Sequence, residues 1–415
     1  MRALSHRNFR LFWTGHLVSL VGTWMQTVAQ GWLVLELTND PFALGLTIAF
    51  QFAPVLVLGL FGGVIADAWP KRRSLIFTQL SALLLALVLG VLAATGTVEV
   101  WHVYALALGL GVINAIDMPV RQSFVVEMVG REDIANAVAL NSAIFNGARI
   151  VGPAVAGLVI GVAGVAPAFF LNAVSYLAIL AGMFAIRVEE LALPAVSTFD
   201  RSWRGVLDQL REGLVYLRAT PQILLPIGVL GGVAMAGMNQ NVLLPVYARD
   251  VLAGGADTFG FLMAASGLGS LASALFIAFG ARPSMRLLLL GAAVVGAAVF
   301  ALSFTTSFVV ALVLMVLIGW GVIAMAATTN TMIQLAVPDE LRGRVVSVYT
   351  TVFAGSAPVG GFLAGWLANV AGVAVALMVG GALSLGVAAA GASRLAAHGQ
   401  GPARAPVGPT HRAAR

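Results

Sequence analysis

Few side chains in this chain of 415 residues are equipped for chemistry, and most of those stand in apolar surroundings. His16, Glu36 and Asp117 can each take up and release a proton. Arg149 places a permanent cation inside the apolar run NGARIVGPAVAG. Gln26, Gln30, Asn114, Asn146, Asn239, Gln240 and Asn330 offer hydrogen bonds without charge, and Gln51 and Asn241 join them. This set suits reversible binding and proton exchange better than bond making. Cysteine is absent, which removes disulfide, thiolate and cysteine-metal chemistry. There is no H-E-x-x-H zinc motif, no Walker A loop and no Ser/His or Asp/Asp pairing at depth. Neither an enzyme nor a cofactor is expected.

The elements that must position these residues are membrane spans. Hydrophobic residues make up 60% of the chain and charged residues 10%, well under half of the roughly 25% usual in soluble domains. A spanning helix needs about 20 apolar residues. Twelve runs qualify, at about 11–36, 43–66, 74–95, 100–121, 136–163 and 166–187, then 222–248, 257–280, 286–304, 307–330, 344–371 and 373–395. The runs are continuous and do not alternate, so the class is an all-α integral membrane protein and not a β-barrel. The basic start MRALSHRNFR leads into an apolar stretch without a small-x-small cleavage site, so the first span is expected to be retained.

Arginine and the single lysine set the orientation. Of the 23 basic residues, 21 fall at the N-terminus, the even-to-odd loops and the C-terminus; the exceptions are Arg249 and Arg149. Basic flanks stay cytoplasmic, so both termini are expected inside a bacterial inner membrane. The net charge of +6 is thereby a topology signal, and no nucleic-acid partner is needed to explain it. The expected organisation is a six-helix half at 1–187, a cytoplasmic linker at 188–220, a second half at 221–396 and a disordered tail at 397–415. In the linker, Trp203, Leu207, Leu210, Leu214 and Leu217 share one helical face, which fits a helix lying on the membrane surface.

The halves look like copies. A shift of 208 residues places Phe145 on Phe353, Gly147 on Gly355, Gly152 on Gly360 and Gly157 on Gly365 without a gap, and AGV at 163–165 on AGV at 371–373. Parallel repeats of this kind put a binding site near the midplane between them and permit alternating access.

Three motifs carry a family resemblance. GGVIADAWPKRR resembles the loop between the second and third spans of the major facilitator superfamily, with Gly63, Asp67, Lys71 and Arg72 in matching places and Pro70 in place of the second glycine. IDMPVRQSF ends the fourth run, with Asp117 and Arg121 four apart on one helix face. GARIVGPAVAG resembles the fifth-span glycine/proline motif of the antiporter branches; Gly147, Gly152 and Gly157 would let a neighbouring helix approach, and Pro153 would bend the span. The resemblance covers essentially the whole chain and points to exporters of the enterobactin and macrolide efflux type. It implies twelve helices in two pseudo-symmetric halves, and an inward-side latch formed by Gly63, Asp67, Lys71 and Arg72 with Asp117 and Arg121. An arginine that some relatives carry deeper in the fourth span is absent from YALALGLGVINA.

The function this implies is secondary active export of amphiphilic small molecules, driven by protons, with the lipid bilayer as surroundings. Uptake or lipid translocation by the same fold, and a non-transporting receptor or scaffold, are the alternatives. Coupling candidates are Glu36, His16 and Asp117. Arg149 costs about 2.5–3.5 kcal/mol at a helix centre, so it is expected to face a cavity and attract an anionic group, or to bond to backbone freed by Pro153. The repeat copy has Ala357 at that place, so packing alone does not require the cation. Oligomeric state is not encoded in any of these features; a monomer suffices.

Overall fold

The computed structural model describes residues 2–58, 69–130, 132–192, 211–212, 214–280 and 282–399. Gly63, Asp67, most of the expected surface helix and the tail beyond residue 399 lie outside the described residues. The first six helices are α1 (Arg7–Thr38), α2 (Pro41–Leu58), α3 (Lys71–Thr95), α4 (Val100–Val129), α5 (Ile134–Ala163) and α6 (Ala166–Phe184). After the linker come α7 (Pro221–Gly237), α8 (Gln240–Asp250), α9 (Ala256–Ala278), α10 (Met285–Leu302), α11 (Phe308–Ala336), α12 (Asp339–Ala371) and α13 (Val373–Gly399). The expected all-α architecture is present, and no strand occurs among the described residues.

Eleven stretches are long and apolar enough to cross a membrane, with α7 and α8 together forming one, Pro221–Asp250. The first helix, α1, is not among them although its 32 residues reach about 48 Å at 1.5 Å per residue. Its polar residues lower its hydropathy, and they have a use described below. A second departure concerns α4. The apolar run ends near residue 121, but the helix continues to Val129 and stops at Gly130, whose φ of 70° an L side chain rarely adopts. Asp117 is therefore about 18 Å from the helix end at Val129. Asp117 and Arg121, four apart on one helix face, pair with each other, and the carboxylate is buried in the bundle. Helix α13 likewise runs on to Gly399, past the expected start of the tail.

The two sets of helices meet through matched pairs, α5 with α9 and α2 with α12. A Cβ at Gly157 would stand 2.8 Å from Asp257 Cα, and one at Gly365 would stand 2.7 Å from the Pro41 carbonyl oxygen. Backbones that close require glycine. Gly152 and its copy Gly360 play the same part within each set, against α1 and α7: a Cβ would stand 2.8 Å from Val21 O and 2.5 Å from Met235 O respectively. Gly147 is a correction, since the space where its Cβ would stand is open. The closest described contacts between the two sets gather at the end away from the chain termini. There Asn369 Nδ2 donates to Asp40 Oδ1 at 2.8 Å, and Phe42 meets Phe362 edge to face at 5.1 Å.

In the linker, Leu217 is buried against α7, α11 and α12, with Ile223, Ile333 and Val345, while Leu214 is exposed. Leu217 thus faces protein rather than membrane.

Candidate functional site

A cavity of about 300 Å³ opens between the helices, a size at the lower end of small-molecule sites. The α1 residues along its wall run from His16 to Gly31, about 22 Å along the axis. This is why α1 is too polar to read as an ordinary span: Ser19, Thr23, Gln26, Thr27 and Gln30 all face the cavity. Thr47 and Gln51 come from α2, Asn114 from α4 and Asn172 from α6, interleaved with Leu20, Ile48, Ile113 and Met118. Phe145 closes one side from α5, and Asn241 of α8 is the lining residue supplied by the last six spans.

The amides are held in place by one another. Asn172 Nδ2 donates to Gln26 Oε1 at 2.5 Å, and Ser175 Oγ donates to Asn172 Oδ1 at 3.1 Å. Room for this comes from Gly22, where a Cβ would collide with Ser175 Oγ at 2.2 Å. Gln30 Nε2 approaches Gln51 Oε1 at 3.5 Å. Such networks fix side chains that water would otherwise leave free to turn.

At the end of the cavity nearer the termini lies a charged cluster. The Asp117 carboxylate, 4% exposed, accepts from Thr78 Oγ1 at 2.7 Å, Gln79 Nε2 at 2.8 Å and Arg121 Nε at 2.8 Å. A second bond from Arg121 Nη2 goes to the same oxygen as Nε, Oδ2, while Thr78 and Gln79 share Oδ1. The remaining arm, Nη1, reaches His16 Nδ1 at 2.6 Å, and the imidazole stacks on Phe12 with ring centroids 5.5 Å apart. Three helices, α1, α3 and α4, are thus joined through one guanidinium and one carboxylate. Charge-assisted bonding of this kind is stronger than a neutral hydrogen bond.

Among the described latch residues, Arg121 pairs with Asp117 while Arg72 and Lys71 have other partners. Arg72 instead donates to the carbonyls of Met183 at 2.8 Å and Phe184 at 3.3 Å, at the C-terminus of α6, where a cation is favoured. Lys71 pairs with Glu127 of α4. Asp67 and Gly63 lie outside the described residues.

Other expected site residues are distributed differently. Of the amides, Gln26, Gln30 and Asn114 line the cavity. Asn146 donates to the Ser142 carbonyl at 2.8 Å, and Asn330 is exposed; neither belongs to the lining. Asn239 and Gln240 bond to carbonyls at the end of α7 and border a smaller space between α7, α8, α10, α11 and α13. Glu36 is exposed at the far end of α1 and accepts from Trp32 Nε1 at 2.7 Å.

Arg149 is the largest correction. It is absent from the cavity lining, and its guanidinium lies over the Trp24 ring, 5.7 Å from the centroid. Its buried Nε has no hydrogen-bond partner, and no described carboxylate pairs with it. Trp24 in turn meets Phe145 edge to face at 5.6 Å, so the cation stands one aromatic layer behind the cavity wall. A cation-π contact is worth about 2 kcal/mol when desolvated, which offsets a large part of the insertion cost. The carbonyl of Arg149, which would have accepted from residue 153 were that not proline, faces Gly267 of α9.

Sequence reasoning missed Thr78, Gln79, Asn172 and Tyr176. Each is a polar side chain within an otherwise apolar span, and that isolation was the available signal.

Helices in this order around a cavity lined by both amides and apolar side chains define a transporter fold of the major facilitator type. The model of the family described as Transmembrane secretion effector matches residues 1–403, and the chain belongs to that family. It is 30% identical to the multidrug efflux pump Tap of Mycolicibacterium fortuitum over 86% of this chain and 88% of that protein. Identity to the staphyloferrin A transporter of Staphylococcus aureus is 24%, over 88% and 90% of the two chains. To the enterobactin exporter EntS of Shigella boydii it is 26%, over 83% and 82%. Among solved structures, a POT family peptide transporter superposes with a TM-score of 0.73 at 14% identity, covering 97% of this chain and 99% of that one. The nucleoside transporter NupG superposes with a TM-score of 0.67 at 14% identity, covering 95% and 99%. These show the fold.

Proposed function

We propose that the protein is a secondary active exporter of amphiphilic small molecules in a bacterial inner membrane, driven by proton influx. The observation that carries this reading is the cavity: amides and hydroxyls alternate with Leu, Ile, Met and Phe along its wall, and a titratable cluster sits at one end. A polar solute such as a sugar would leave the apolar wall unmatched, and a bare ion would leave most of the volume unfilled. The three relatives, named for a drug pump and two siderophore transporters, support export of ligands of this general kind.

The distribution of basic residues supports cytoplasmic termini. With that orientation, the tight Gly157 and Gly365 contacts are at the outer face, and the cavity is poised to load from the cytoplasm. Rocking about the α5–α9 and α2–α12 pairs would then release the substrate outward. Lys71 and Arg72 tie α3 to α4 and α6, so that these three helices are held together.

The test is flux in proteoliposomes. Purified protein is reconstituted with ethidium or a catecholate siderophore trapped on the cytoplasmic-face side, and a pH gradient is imposed. Export above that of protein-free vesicles, accelerated by inward proton flow, is expected. Equal flux with and without protein, for both probes, would refute the reading.

A further inference from the structure

The cavity lining contains four groups able to carry charge: His16, Asp117, Arg121 and Tyr176. We propose that His16, and not Asp117, carries the coupled proton, and that Arg121 converts its protonation into movement between α1 and α4. This rests on the proton-driven reading above and assigns the site at which it acts.

The argument begins with hydrogen-bond directions. A guanidinium only donates, so the ring nitrogen that faces Arg121 Nη1 at 2.6 Å must be an acceptor. His16 is therefore a neutral imidazole in this conformation, with its ring proton on Nε2. Asp117 is differently placed. Its carboxylate accepts from Thr78, Gln79 and two arms of Arg121. A proton arriving at Asp117 would have to displace several donors at once. One arriving at His16 displaces a single one; both side chains line the cavity, with His16 half-buried and Asp117 4% exposed.

Among the described residues of the cavity lining, no other group carries charge. The α4 helix presents Asp117 and Arg121 to His16, and α6 presents the Tyr176 phenol. From α3 come the neutral Thr78 and Gln79, and across the cavity stand Gln51, Phe145 and Asn241, all uncharged.

Protonation adds one proton to the ring nitrogen lone pair and one positive charge to the cavity. The Arg121 Nη1–H loses its acceptor, and two cations face each other where a hydrogen bond had been. Arg121 stays anchored to Asp117, so the relief comes by parting α1 from α4 at this level. Asp117 is thus a positioning residue that holds Arg121 in the right place. Loss of the proton to the other side restores the bond and the starting state.

The decisive measurement is the titration of the ring itself. The chain has five histidines; the variant His6→Gln/His102→Gln/His398→Gln/His411→Gln leaves His16 alone for nitrogen-15 NMR in nanodiscs. The expected spectrum at pH 8 is a neutral ring whose Nδ1 is unprotonated, converting to imidazolium before pH 5. A ring that remains neutral at pH 5, or that carries its proton on Nδ1 at pH 8, would overturn the assignment. If the multiple variant does not fold, the same signal is found in the labelled wild type as the one missing from His16→Gln. In vesicles, the ratio of flux with and without a pH gradient should fall to one in His16→Gln, whatever its absolute rate. A ratio that stays above one in that variant overturns the His16 assignment and leaves proton drive standing. A wild-type ratio of one overturns proton drive, and this proposal with it.

Discussion

Replacing Gly157 by alanine should push the transporter out of the conformation described above. A Cβ there would stand 2.8 Å from Asp257 Cα and 2.9 Å from the Ala256 carbonyl oxygen. Both are backbone atoms of the α9 entry, so no side chain can swing aside, and ordinary contact requires about half an ångström more. Overpacking of this kind costs about 1–3 kcal/mol. The cost is confined to the state in which α5 and α9 touch, so the equilibrium between states should shift by about 5–150-fold. The chain has no native cysteine, so a single Gln51→Cys reporter on the cavity wall is unambiguous. A membrane-impermeant maleimide applied at the face opposite the termini should label it several-fold faster in Gly157→Ala. Gly147→Ala, on the same helix but facing open space, is the matched control and should leave the rate unchanged. Equal labelling in the two variants would refute the argument that the Gly157 contact holds this end closed.

Three further outcomes follow from the same geometry. Arg149→Met should keep export within about twofold at matched expression, because the guanidinium lies behind Trp24 and outside the cavity; a tenfold loss of flux would return Arg149 to the substrate path. Asp117→Leu should lower stability by about 3–5 kcal/mol by leaving Arg121 buried and unpaired, while the double variant with Arg121→Leu should recover part of it; thermal unfolding in detergent checks both, and equal losses would mean the pair is not coupled. Asn172→Leu should cost about 1–3 kcal/mol, since it leaves the buried Gln26 carbonyl without its donor; an unchanged melting temperature would mean that Gln26 finds another partner.

The sequence alone determined the spans, the repeat and the asymmetry of basic charge. Each is a property of residues counted along the chain: apolar length, recurrence at 208 residues, and arginine position. Turn chemistry was equally local, and Gly164 and its copy Gly372 end α5 and α12 with φ values of 77° and 88°. Hydropathy misled where polar residues are paired within the bundle. Asp117 and Arg121 stand at the end of the fourth apolar run, yet α4 passes beyond them to Val129, and Thr78 and Gln79 from α3 satisfy the carboxylate. The polar residues of α1 make it the least span-like of the first six helices, because they line the cavity. Only the tertiary structure decided which polar side chains share one cavity and what stands beside a buried cation. Residue type sets the cost of leaving water, but the partners that offset it come from other helices: His16 meets Arg121 from 105 positions away, and Arg149 meets an indole instead of a carboxylate.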